Sequence, residues 1–249
     1  NHKFSFLTFM NWIENNDPIE IVILTEKPKE FDQFKEIITI LPMDKKQKRE
    51  WSLDGKYHFR IKNRGMAYVM DELKLNAKDK ILFFDTDTYF HKSPLKLFNF
   101  IQMNQALLYL NEGLIYKRKR FFPYSENLEG KKIKIDDEFY KLSKNSALWG
   151  SLMIGLTGSM RPSLEWADKL LVKLFDIVPV HTIEEFSLSE SLIKKYKLVE
   201  GKNFISLYST SRKKEYAKNI LLNFCETCKF MPVRKQILLA QNIKIKRPF

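Results

Sequence analysis

Apolar positions recur along this chain in two rhythms. In FSFLTFMNWIENN (4–16) they fall at helical spacing and end in a polar cluster, which predicts a helix. IEIVIL (19–24) is a short β-branched run and predicts a buried strand, with TEKPKEF following as a loop. EIITIL (36–41), closed by Pro42, predicts a second strand, and the polar stretch at 43–58 a surface loop. KNRGMAYVMDELKL (62–75) sets Met66, Val69, Met70 and Leu73 on one face of a helix. KILFF (80–84) is a third strand, and SPLKLFNFIQMN (93–104) opens with Ser-Pro as a helix does.

The second half is less regular. QALLYL (105–110) and ALWGSLMIGL (147–156) predict strands, separated by a charged, loop-rich segment at 117–145. Helices are predicted at 163–175, 183–196 and 213–224, and a short strand at FISLY (204–208). Alternating strands and helices over the first hundred residues imply an α/β fold with parallel pairing and helices on the faces of the sheet. Ligands of such sheets bind beyond the carboxyl ends of the strands. No internal repeat and no linker interrupts the chain, which favours a single domain with two lobes.

Composition narrows the class. The chain has 249 residues, 44% hydrophobic, with 20 Phe and 10 Tyr, which argues against disorder. Forty-three Lys and Arg against 30 Asp and Glu give +13, a charge that attracts nucleic acid, nucleotide diphosphates or anionic lipid. Cys225 and Cys228 form one CxxC with no second pair, so they read as two reduced thiols on a helix rather than a zinc site. No apolar run is long enough to span a membrane. MPVRKQILLAQNIKIKRPF at the C-terminus mixes basic and aliphatic residues; it packs as a final helix or rests on an anionic membrane surface.

The candidate chemistry lies in KILFFDTDTYFH (80–91). Four apolar residues lead straight into Asp85 and Asp87. Two carboxylates one residue apart can converge on a hard cation, Mg2+ or Mn2+, whose remaining positions are filled by water and phosphate oxygens. The competing reading is a solvated turn, in which Asp side chains bond neighbouring backbone amides.

LFFDTDTYF (82–90) resembles the strand–DxD element of the GT-A-fold, nucleotide-sugar-dependent glycosyltransferases, in the manner of bacterial glycosyltransferase family 8 and its relatives. Further segments are similar in the same order. They are IVILTEKPKEF (21–31), YHFRIKNRGMAYVMDEL (57–73), SALWGSLMIGL (146–156), TIEEFSLSESL (182–192) and FISLYSTSRKKEY (204–216). The resemblance spans about residues 19–220. It implies an α/β fold with a GT-A-type, Rossmann-like mixed sheet and helices on both faces. The nucleotide-sugar-binding lobe is about 1–104, and the acceptor lobe with C-terminal helices about 105–249.

The resemblance also implies roles. Asp85 and Asp87 would hold Mn2+ or Mg2+. Thr25, Glu26, Arg60, Lys62, Thr86, Ser151 and Lys213 would line the donor, a UDP-sugar as first candidate, with the basic residues near the diphosphate. Glu184 and Glu185 would act as general base or touch the donor sugar; otherwise they are acids complementing a helix dipole. Two further candidates, His91 and His181, read first as structural. The chain departs from the family at Leu207, where a metal-binding His is common, at Gly150 in place of Asn, and at Glu26 in place of Asp.

The implied function is metal-dependent transfer of a sugar from a nucleotide-diphosphate sugar to a hydroxyl of a glycan or lipid-linked glycan. The implied setting is bacterial surface polysaccharide synthesis in the cytoplasm, with peripheral contact to the inner face of the membrane. One alternative is a sugar-nucleotide nucleotidyltransferase, against which stands the glycine-free TEKPKEF after the first strand. The other is a non-enzymatic basic nucleic-acid-binding protein, for which no helix-turn-helix, RNA-recognition or zinc signature is present.

Overall fold

In the computed structural model the described residues are 2–13, 17–207, 211–243 and 245, without the side chains of 2 and 211–214. In chain order the elements are α1 (His2–Met10), β1 (Val22–Thr25), β2 (Thr39–Pro42), α2 (Lys45–Trp51), α3 (Arg60–Glu72), β3 (Lys80–Phe84), β4 (Thr88–Phe90), β5 (Gln105–Leu114) and α4 (Phe122–Leu128). Then come β6 (Ile133–Ile135), β7 (Glu138–Tyr140), β8 (Ala147–Thr157), α5 (Arg161–Leu174), α6 (Ile183–Ile193), β9 (Lys197–Glu200), β10 (Ile205–Leu207), α7 (Ser211–Cys228) and α8 (Val233–Asn242).

The main sheet runs β3–β8–β5–β9. β8 is antiparallel to both of its neighbours, with Phe84 opposite Met153 and Leu107 opposite Gly155, and β9 joins β5 in parallel. β1 and β2 form a parallel pair, and β4 and β10 an antiparallel one. The sheet is therefore mixed. Parallel pairing holds for β1 with β2, whereas β3 pairs with a strand that returns from the second half of the chain.

Both faces of the sheet are covered. On one, Met66 and Met70 of α3, Leu164 of α5, and Leu188 and Leu192 of α6 pack on Ala106, Leu108, Ile154 and Leu156. On the other, Phe9 of α1 and Leu97 of a 3-10 segment (Pro94–Phe100) pack with Ile101, Leu107 and Met153. Each such buried side chain stabilises the fold by roughly 1.5–3 kcal/mol. α1 also docks α7 and α8 through Phe4, Leu7, Leu221, Phe224 and Ala240.

Several local expectations are corrected. The segment at 43–58 is not all loop. Asp44 Oδ1 accepts from Gln47 N (2.7 Å) and Gln47 Oε1 from Asp44 N (3.0 Å), a capping box that starts α2. The stretch 93–104 forms only the 3-10 segment, because Ser93 makes no side-chain cap and the chain turns extended at Ile101. The loop-rich 117–145 contains α4 and the β6–β7 hairpin, tied down by buried Tyr124, Ile133, Ile135 and Tyr140.

Candidate active site

The two aspartates leave the end of β3, where the hydrogen-bond ladder runs one step further through Asp85 N to Leu152 O (2.8 Å). The turn that follows is closed by Thr88, whose Oγ1 (2.6 Å) and N (3.2 Å) both donate to Asp85 O. α1 secures the exit: Thr8 Oγ1 accepts from Phe90 N at 3.2 Å. The turn's bonds thus come from a hydroxyl and a backbone amide. The Asp85 carboxylate is directed elsewhere.

It meets Lys62 from α3. Lys62 Nζ donates to Asp85 Oδ2 (3.1 Å), Ser151 O (3.2 Å) and Ser151 Oγ (2.8 Å), and Glu184 Oε2 lies at 3.7 Å. Its side chain is only 9% exposed. Burial alone would lower its pKa, but Glu184, Asp85 and Glu185 outweigh that and the net direction is up, so the ammonium is charged.

Ser151 comes from β8, which runs beside β3 and therefore delivers its early residues to the same edge. Ser151 Oγ donates to Glu184 Oε2 (3.1 Å), with Glu185 Oε1 at 3.4 Å from both Oγ and the Ser151 amide. The glutamates open α6. That end is tethered by Tyr57, whose hydroxyl accepts from Glu184 N (3.0 Å) and donates to His181 O (2.6 Å). Further along α6, Ser189 Oγ accepts from Trp149 N (2.9 Å) and donates to Glu185 O (2.6 Å).

Burial raises the pKa of all three acids around the lysine. Glu184 is pushed up to about 8 by desolvation, against the pull of Lys62 and with Glu185 and Asp85 adding repulsion. Glu185 and Asp85 shift in the same direction for the same leading reason. Glu184 is thus the acid that keeps its proton at neutral pH, and its Oε1 has no hydrogen-bond partner. One ammonium then faces Asp85 and Glu185 as well, and Asp87 lies close enough to Asp85 to repel it. Carboxyl groups thus outnumber the single ammonium at this edge of the sheet, and a further cation would relieve the repulsion among them.

Asp87 Oδ1 is buried and without a hydrogen-bond partner. Lys62 engages Asp85 through Oδ2. The donor set is hard oxygen and suits Mg2+ or Mn2+. Among the described residues no group of three or more His, Cys, Asp or Glu could hold a metal, so water and substrate oxygens would complete the shell. Leu207 of β10 stands opposite Thr88, beside the DTD turn, and offers no ligand atom.

The remaining candidates divide. The guanidinium of Arg60 grips Asp168 of α5 through Nε (2.6 Å) and Nη2 (2.8 Å), and Glu50 O through Nη1 (2.9 Å), which turns it toward α5 and α2. The ammonium of Lys62 bonds Asp85 and Ser151. Glu184 is buried, whereas Glu185 is partly exposed. Thr25 Oγ1 accepts from Lys27 N (3.1 Å), and Glu26 pairs with Lys48. Thr86 is exposed between the aspartates. The side chain of Lys213, and residue Tyr208, lie outside the described residues. His91 contacts Asn203 O (3.1 Å) and is a surface tie, and His181 contributes its carbonyl. Cys225 and Cys228 are free thiols on α7.

Tyr57 was not legible in the sequence, where it is one aromatic in a polar stretch. Gly150 has a structural meaning the sequence hid. A Cβ there would lie 3.2 Å from Glu112 Oε1, so the missing side chain leaves room for Glu112 against the strand at Gly150.

No family model matches the chain, and no curated protein does. Among solved structures the chain is similar to CTP:phosphocholine cytidylyltransferase from Streptococcus pneumoniae, with 15% identity over 88% of this chain and 82% of that one, and a TM-score of 0.36. A likeness of that size says nothing of the reaction.

Proposed function

We propose that this chain is a transferase acting on a nucleotide-activated donor, and that it moves a sugar from a nucleotide-diphosphate sugar to an acceptor hydroxyl. The observation that supports this reading is the convergence, at one edge of the sheet, of Asp85 and Asp87 with Lys62, Ser151 and Glu185. Asp85 and Asp87 would hold Mg2+ or Mn2+, which when bound neutralises charge on the departing diphosphate. Lys62 fixes the Asp85 carboxylate and opposes the upward push of burial on its pKa. Glu184 holds Ser151 and Lys62 in place. Glu185, the partly exposed acid, accepts the proton of the acceptor hydroxyl or bonds the donor sugar.

The acceptor in this reading is a glycan of a bacterial surface polysaccharide, free or lipid-linked. The α7–α8 surface would rest on an anionic membrane. Phe230 between these helices is 91% exposed, with Lys229 Nζ 5.5 Å from its ring, and Leu222, Leu238, Arg234 and Lys235 on the helices are exposed too. Among the described residues no helix is long and apolar enough to cross a membrane.

The test is thermal stability against nucleoside diphosphates with and without Mn2+, for the wild type and for Asp85→Ala and Asp87→Ala. A ligand at a hundredfold excess over Kd stabilises the folded state by about 2.7 kcal/mol. We expect one diphosphate with Mn2+ to raise the midpoint and both variants to lose the shift. The matching nucleotide-sugar then enters transfer assays. Pyrophosphate release from a nucleoside triphosphate and a sugar phosphate would move the assignment to nucleotidyl transfer. No shift with any nucleotide and metal would overturn both.

A further inference from the structure

The basic bend KRKRFF (117–122) takes no part in the site described above. Gly113, Leu114 and Lys117 to Arg120 line an open cleft of about 790 Å3, four cations and no acid among them. Arg120 is fixed, with Glu112 Oε2 at 2.6 Å and the Phe121 ring at 4.6 Å. Among the described residues Lys117, Arg118 and Lys119 have no ion-pair partner. Cations gathered unpaired around a concavity repel one another and concentrate a field that an anion relieves.

The cleft is shaped by the backbone. Gly113 has φ 111°, and a Cβ on it would lie 2.8 Å from Arg118 Nε. Only glycine adopts that conformation freely, and only glycine lets the guanidinium lie against the chain there. Two arginines and two lysines at one wall suit a group of high negative charge, since guanidinium binds phosphate bidentately and ammonium adds point charge.

The cleft adjoins the donor site. Glu112, which holds Arg120, approaches Gly150, the neighbour of Ser151. Gly113 pairs with Leu148 of β8, so three residues, roughly 10 Å at strand rise, separate it from Ser151. Glu112 also adds to the upward push on Glu185, as a nearby carboxylate must.

We infer that the cleft at 113–120 is a second anion subsite, which takes a phosphate group carried by the acceptor and seats it beside the donor. Its role toward the acceptor rests on the transferase reading, but its binding of phosphate does not.

The experiment is calorimetric titration of inorganic pyrophosphate, without divalent metal, into the wild type, Asp87→Ala and the double variant R118A/K119A. The wild type and Asp87→Ala should bind saturably, and the double variant at least tenfold more weakly. The double variant should keep the midpoint shift given by nucleoside diphosphate with Mn2+, which shows an intact fold and a separate donor site. If that shift is absent from every protein while pyrophosphate binding still depends on Arg118 and Lys119, the donor reading fails and the anion subsite stands. Equal binding by all three proteins, or none by the wild type, overturns the subsite. So does tighter retention of a labelled single-stranded oligonucleotide through the same two residues, which would assign the cleft to nucleic acid. Phosphatidylcholine vesicles carrying phosphatidate separate the sources. Sedimentation that depends on Arg118 and Lys119 upholds the subsite with a lipid-borne phosphate, and soluble pyrophosphate binding without it upholds the subsite with a soluble one.

Discussion

At the scale of the residue, the centre of the site is a buried ammonium held among acids that burial keeps from ionising freely. The consequence is a pH dependence with a definite sign. Glu184 holds its proton in the folded chain up to about pH 8, while an unfolded glutamate loses it near 4.5. Between those values the folded state binds more protons, so stability falls as pH rises through the window. Asp85 and Glu185 shift the same way. We expect the urea midpoint to fall from pH 5 to pH 8.5 in the wild type and to fall less steeply in Glu184→Gln; parallel curves would refute the assignment. Asp85, Asp87 and the two glutamates were legible because an acid after an apolar run, or at a helix start, conflicts with its surroundings. Tyr57 and the pairing of Arg60 with Asp168 were not, because a partner such as Asp168 is distant in sequence and carries no local signal.

At the scale of the element, α3 has two tasks on two faces. Arg60 and Lys62 are about 200° apart around a helix, so one reaches α5 and the other the sheet edge. The Arg60–Asp168 pair is bidentate and nearly buried, with side chains 12% and 10% exposed. Removing one partner of such a pair costs about 3–5 kcal/mol. Arg60→Ala should therefore lose that much in urea unfolding, while nucleotide affinity measured below the transition stays within about threefold. A much larger loss of affinity would return Arg60 to the phosphate site. Strands β1, β3, β5 and β8 were readable from their apolar runs, as were α3, α5 and α6 from their periodicity. The pairing of β3 with β8 was not, because strand partners are chosen by long-range packing. The helix α2 was signalled by Asp44 and Gln47, and its polar composition masked it.

At the scale of the molecule, +13 is not spread as a uniform coat. Part of it lines the 113–120 cleft, and part is exposed on α8 and the turn before it, in the same segment as exposed Phe230. Composition revealed the excess but not its places, which depend on where the segments at 117–145 and beyond 211 fold back. If the second patch meets a membrane, vesicles containing anionic lipid should sediment the wild type, and Phe230→Ser should reduce that several-fold without altering nucleotide binding. Equal sedimentation of both proteins would remove the membrane from the picture. The tether between Tyr57 and Glu184 spans 127 positions of the chain. Synthesis from the N-terminus therefore produces the DTD turn and the lysine long before the acids that complete their surroundings. A growing chain carries Lys62 and Asp85 without Glu184, Glu185 or the helix that bears them, and only one extended past α6 can close the pocket. Closure of this pocket is in this sense a late event in synthesis, and a chain truncated before α6 would lack Glu184 and Glu185 altogether.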